Sequence, residues 1–197
     1  MVVLYAELVQ NSAIESLTQQ LDKHLRRQPK LGKGVYLAPG AIVLGDVTLG
    51  DYSSVWCNAV LRGDINRIIV GRRTNIQDNA VLHLADDQTC IVGNDVTIGH
   101  GAIVHACTIG DQVLVGMGSV ILDGVVVGKQ CLVGAGALVT PGTRIPPGSL
   151  VLGSPARVAR KLTPAERANL KTLAAKYVGA AAYYLAHKID VAGSGLD

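Results

Sequence analysis

Phenylalanine is absent from this 197-residue chain, which also has a single tryptophan and two methionines. Its apolar fraction of 49% therefore comes almost entirely from Val, Leu, Ile and Ala. With 23 glycines and many β-branched residues, that composition suits short strands joined by tight corners. It argues against a helical bundle and against a doubly wound nucleotide-binding sheet. Charge is also sparse: the net value is +3. Arg26-Arg27, Arg72-Arg73 and the run from Arg157 to Lys161 are short and lack interleaved aromatics, so they describe a solvated basic surface and not a nucleic-acid partner.

Other absences narrow the class further. Cys57, Cys90, Cys107 and Cys131 form no CxxC pair and no regular framework, which points to reduced, packed thiols. Residues 1–7 lack a basic leader and meet Glu7 too early for a secretory signal. No apolar run is long enough to span a bilayer, so no membrane partner is expected. A soluble, cytoplasmic protein of one domain plus an accessory element is the expectation.

What the chain does have is a period. An aliphatic residue recurs every six positions at Leu31, Leu37, Val43, Leu49, Val55 and Leu61; then at Val70, Ile76 and Leu82; then at Val92, Ile98 and Val104. It resumes at Ile109, Val115, Ile121, Val127, Val133, Val139, Ile145 and Val151. Such a repeat marks a solenoid of stacked coils. Within each hexad the periodic residue is often followed by Gly, and a small or β-branched residue takes the fifth place. Both marked positions should face inward, which makes Cys131 core filler. The period breaks after Leu61, Leu82 and Val104.

Three segments follow. Residues 1–30 should hold a strand over 2–9 and a short helix, capped by Ser12 with Glu15 and lined by Ile14, Leu17, Leu21 and Leu25. Residues 31–156 carry the parallel coils. Residues 157–197 carry a terminal helix and tail. Thr163-Pro164-Ala165-Glu166 opens that helix, and Leu170, Leu173, Ala174, Tyr177, Val178, Ala181 and Leu185 give it a buried stripe along the solenoid's outside.

If three hexads make one coil, every third periodic residue stacks about 4.8 Å from the last. Leu61, Leu82 and Val104 then share a column, provided the extra residues after Leu61 and Leu82 bulge out as loops. Arg62, His83 and His105 follow them in one outward stack. A second column of Val55, Ile76 and Ile98 brings Trp56, Gln77 and Gly99 into register and puts Asp78 under His100. His100 thus lies on a different face from the other two histidines. If it completes the same site it comes from a neighbouring subunit, which implies cyclic symmetry of order three.

Three neutral imidazoles with an open fourth position are the ligand set of a catalytic zinc site. Nitrogen-only ligation also suits Fe2+ or Co2+. Bound water would ionise near a pKa of roughly 7. Gln77 and Asp78 could orient the water or the ligands, and Arg62 could pair with Asp64 across the subunit boundary. A lone exposed histidine is ordinarily just a surface residue, and His24 and His187, on the flanking helices, stay in that class. Asn75 and Asn79 read as turn or ladder residues.

The residues from Ser54 to Asp64, Arg73-Thr74-Asn75-Ile76-Gln77-Asp78-Asn79, Val81-Leu82-His83 and the run from Val96 to His105 closely resemble the γ-class carbonic anhydrase family. So do Val115-Gly116-Met117-Gly118 and Leu152-Gly153-Ser154-Pro155-Ala156 ahead of a terminal helix. The resemblance covers residues 30–185. It implies a left-handed parallel β-helix with a C-terminal helix, a homotrimer, and intersubunit metal centres that hydrate CO2 to bicarbonate through a metal hydroxide. It implies His83 and His105 as ligands from one subunit and His100 from the next. Arg62, Asp64, Gln77 and Asp78 match its interface and water-positioning residues, and Tyr177 matches a tyrosine from the terminal helix.

Two departures stand out. Ile65 occupies the place of a family glutamate, and the acidic loop after the first histidine is short, Leu84-Ala85-Asp86-Asp87-Gln88-Thr89-Cys90, leaving Asp86 or Asp87 as proton relays. The alternatives are a hexapeptide-repeat acyltransferase or thioesterase with a histidine general base, and a metal-bound trimer that serves assembly.

Overall fold

The structure, a computed structural model, describes residues 12–189. The strand expected over 2–9 and the Ser12 side chain of the expected cap lie outside the described residues. From Lys30 onward the chain winds as a parallel β-solenoid with three faces. The columns expected from the six-residue period are present as registered strands. Val43, Leu61, Leu82, Val104, Ile121 and Val139 stack on the first face. Leu31, Leu49, Val70, Val92, Ile109, Val127 and Ile145 stack on the second. Leu37, Val55, Ile76, Ile98, Val115, Val133 and Val151 stack on the third.

Burial explains the period. Leu61, Ile76, Leu82, Ile98 and Ile121 are all 0% exposed, and each stabilises the fold by about 1.5–3 kcal/mol relative to exposure. The fifth-place residues fill the space beside them: Ala59, Ala80, Ala102, Val113, Ser119, Val125 and Cys131 are buried. All four cysteines are unpaired. Corners turn through a left-handed residue three places after the periodic one, such as Asn58, Asn79, Gly101 or Gly118. Asn and Gly tolerate that conformation at low cost, so Asn79 is the turn residue its pattern suggested.

The breaks behave differently from one another. After Leu82, residues 84–89 leave the coil as a loop. After Leu61 they do not. Val60–Val70 is one continuous strand that rounds a corner. Against Ile42–Leu49 the register runs Gly45 to Gly63 and then Val47 to Ile68, so the extra residues are absorbed as a bulge. After Val104 the coil is one residue short, and Ala106 takes the left-handed corner at φ 45°.

Two helices pack on the coils. Helix α1, Ser12–Leu25, lies against the strands Ile42–Leu49 and Val60–Val70. His24 anchors it. Expected on the surface, His24 is instead 5% exposed, with Nδ1 3.2 Å from Asp46 Oδ2 at the bulge. Helix α2, Pro164–His187, starts with the capping box of Thr163 and Glu166 and runs along the third face. Leu170, Ala174 and Ala181 are buried there, whereas Leu185 remains exposed. Tyr36, Trp56, Tyr177 and Tyr184 meet edge to face beneath it at 5.3–5.7 Å. Between coils and helix, Ala156–Lys161 folds back antiparallel on Ser149–Gly153, so a hairpin straddles position 156, where the coils were expected to end. Its charged, exposed residues blunt the last open edge of the sheet. No described helix is long and apolar enough to cross a membrane.

Candidate metal centre

The register that pairs Leu82 with Val104 also pairs His83 with His105. Their rings face each other along one edge of the first face, with His83 Nδ1 3.1 Å from His105 Nε2. Each ring has its other nitrogen against a carboxylate. His83 Nε2 lies 3.1 Å from Asp64 Oδ1, and His105 Nδ1 lies 2.5 Å from Asp123 Oδ1. His100, expected on a different face, stands on the corner between the third face and the first, at the edge opposite His83 and His105, because the turn there leads directly into the strand Ile103–His105. It too is held by an acid, with Nδ1 2.8 Å from Asp78 Oδ2.

In neutral rings this pattern selects the tautomer. A carboxylate accepts the N–H of the ring nitrogen it touches, which leaves the other nitrogen as a lone pair. His83 Nδ1 and His105 Nε2 are therefore two lone pairs facing each other at 3.1 Å. Nitrogen ligands of a tetrahedral ion with bonds of about 2.0–2.1 Å sit about 3.3 Å apart, close to the observed separation. The donor set fits a divalent cation. Within one chain the set is incomplete: no group of three or more His, Cys, Asp or Glu positioned to hold a metal occurs among the described residues.

Electrostatics disfavour a charge on His83. Burial pushes the His83 pKa down, and the neighbouring Arg62 charge and His105 add to that against the pull of Asp64. Burial raises the Asp64 pKa, but hydrogen bonds from Arg62 and His83 outweigh it, and the net shift is downward. The Arg62 guanidinium bonds Asp64 Oδ2 within the chain. The two residues lie two apart on one strand and so share a side.

Gln77 and Asp78 belong to the His100 edge. Gln77 is 4% exposed; its Oε1 accepts from the His100 backbone N–H at 3.2 Å, and its Nε2 donates to Asn75 Oδ1 at 3.2 Å. Asn75 in turn donates to Thr97 Oγ1 at 2.9 Å, a ladder residue as its pattern suggested. Tyr177 is half-buried, edge-on to Trp56 at 5.6 Å, and shares with Gln77 a cavity of about 280 Å³. Burial, then the Asp78 charge, raises its pKa. Asp86 and Asp87 are exposed on the loop, which Asn66 pins by donating to the Ala85 and Asp86 carbonyls at 3.3 and 3.2 Å. Asp87 lines a polar cavity of about 290 Å³ with Thr89, Thr108 and Gly124.

Residues 28–63 and 106–141 match the family described as bacterial transferase hexapeptide, six repeats. A candidate carbonic anhydrase of Methanocaldococcus jannaschii is 53% identical over 148 residues, which is 75% of this chain and 93% of that protein. Gamma carbonic anhydrase 2, mitochondrial, of Arabidopsis thaliana is 42% identical over 83% of this chain and 65% of its own length. The chain belongs to the γ-class carbonic anhydrase family. Among solved structures, a candidate acetyltransferase from Bacillus cereus superposes with a TM-score of 0.80 at 41% identity, over 81% of this chain and 93% of that one.

For a γ-class chain, two features of this edge are notable. Ile65 is half-buried against the core, so no carboxylate follows Asp64. Asp123 touches His105 yet was not among the residues picked from sequence. The signal that could have found it is the third break. Above the shortened coil, Gly124 N–H bonds the Ala106 carbonyl at 2.8 Å, while Ile121 stays in register with Val104. Two residues, Leu122 and Asp123, therefore span what His105 alone spans below.

Proposed function

We propose that this chain hydrates CO2 to bicarbonate at three metal centres, each shared between neighbouring subunits of a homotrimer. The observation that carries the reading is the three acid-backed histidines: two with converging lone pairs at one edge of a sheet face, the third at the other edge. A single face with complementary edges suits a closed ring in which one subunit's His83 and His105 meet the next subunit's His100. That face is also apolar. Its outward column is Ile42, Val60, Val81, Ile103, Val120 and Leu138, with Ile42 and Ile103 53% and 42% exposed. A contiguous stripe of this kind marks a protein contact.

His83, His105 and His100 would hold Zn2+, Fe2+ or Co2+, with Asp64, Asp123 and Asp78 fixing the ring orientations. The cation supplies Lewis-acid activation of water near neutral pH. Arg62, on the same edge, places a positive charge where bicarbonate forms. Gln77 holds the backbone of His100, and Tyr177 closes the apolar cavity behind it. Asp86 and Asp87, both exposed on the loop after His83, would pass a proton to buffer.

The test is a CO2 hydration assay on protein purified without oxygen, with its metal content measured. Metal-dependent hydration that His83→Ala abolishes supports the reading. A metal-loaded protein no faster than His83→Ala sinks it. Ile65 and the short loop favour one second reading, a metal-bound trimer that serves assembly; intact metal binding with no hydration would select it.

A further inference from the structure

We infer that Asp123 is a positioning residue for the metal centre, created by the one-residue deletion in the coil beneath it. The inference rests on the metal-site reading above and extends it to a residue outside the sequence motifs. Asp64 divides itself between His83 and Arg62. Asp123 has no such competitor among the described residues: its Oδ1 is 2.5 Å from His105 Nδ1, and no cation pairs with it. Its backbone is fixed as well, since its carbonyl accepts from Gly142 N–H at 2.8 Å in the next coil. A coil of full length under it would place another residue between His105 and the corner. The deletion removes that spacer and brings the Asp123 carboxylate over the imidazole.

The consequence is chemical. Accepting the Nδ1–H holds His105 in the tautomer whose Nε2 lone pair faces His83, and the negative charge raises that lone pair's basicity. Truncation frees the ring to rotate and to protonate the wrong nitrogen. The side chain is 45% exposed, so its loss leaves no cavity and should spare the fold.

The experiment strips the full-length protein of metal and titrates Zn2+ against a chromophoric chelator for wild type, Asp123→Ala, Asp123→Asn and His105→Ala. Asp123→Ala should bind about 10- to 100-fold more weakly. Asp123→Asn, which keeps an acceptor without the charge, should fall between. The visible bands of the Co2+-loaded protein should change with Asp123→Ala while the metal-free melting temperature stays within a few degrees. Asp123→Ala matching wild type in affinity and Co2+ spectrum, with His105→Ala defective, overturns the inference and leaves the metal centre standing. A wild type that binds no Zn2+ overturns both.

Discussion

His100 and Asp78 occupy the same corner one coil apart, joined through Nδ1 and Oδ2 at 2.8 Å. The link continues through the backbone, where Gly101 N–H bonds the Asp78 carbonyl at 2.9 Å. The result is an imidazole held by its own subunit with Nε2 left over. That free nitrogen, on a side chain 43% exposed, has no histidine partner among the described residues, whereas His83 and His105 have each other.

Complementation between defective chains tests the sharing directly. His83→Ala and His100→Ala homotrimers should each lose metal binding and hydration. When the two are unfolded together in equal amounts and refolded, about one quarter of the sites should regain all three ligands, because each site draws on two subunits. Recovery of metal stoichiometry to that level is the measurement. No recovery above either parent would place the ligands within one chain.

The aliphatic column on the first face should hold the trimer. Ile103→Asp puts a carboxylate in the middle of it, among Val81 and Val120, without touching a histidine. Analytical ultracentrifugation at micromolar protein should show wild type as a trimer and the variant mostly as a monomer, since an unpaired charge in a dry interface costs several kcal/mol. Zn2+ affinity should drop at least about tenfold, because separating the subunits takes the neighbour's His100 away from His83 and His105. A trimeric variant with unchanged affinity would assign this face to something else.

The period made the columns readable because every coil repeats one inward geometry, so Leu82 beside Val104 and His83 beside His105 followed from counting. What stayed hidden depends on contacts without a period. His24 reads as a surface residue on an amphipathic helix, and only the bulge that presents Asp46 buries it. The residues after Leu61 read as a loop, yet a bulge lets strand pairing continue to Val70. Asp123 was hidden for a third reason: a deletion acts on the coil above it, and counting along the chain records the gap without its neighbour. The run from Arg157 to Lys161 reads as surface charge, which it is, but on a strand.

Glycine after the periodic residue has a steric cause on the second face. At Gly71 a Cβ would lie 2.6 Å from the backbone of Gly93 in the next coil. Gly71→Ala should therefore cost about 1–3 kcal/mol through forced backbone shifts. Gly179, inside α2, is the control, because a Cβ there meets nothing within 4 Å. Gly179→Ala should stabilise by up to about 1 kcal/mol through helix propensity. Urea midpoints moving in opposite directions are the expected result; a neutral Gly71→Ala would discard the close-approach explanation.

Glu166 gives the acid limb of the stability profile a definite sign. Its carboxyl is held down to about 2, first by the hydrogen bonds from Arg160 and then by the Thr163 backbone N–H. A carboxylate depressed in the folded state stabilises above its unfolded pKa of about 4.3, and that contribution is lost as pH falls. Glu166→Gln keeps an acceptor for the cap but abolishes the pair with Arg160. It should melt below wild type at pH 5–8 by a constant margin of a few degrees at most, because the pair is exposed and screened. The margin should shrink steadily from pH 4.5 and close near 2. High salt should shrink it at neutral pH as well, the Debye length at 1 M being about 3 Å. A margin independent of both pH and salt would show that the loss on substitution does not come from the carboxylate's charge.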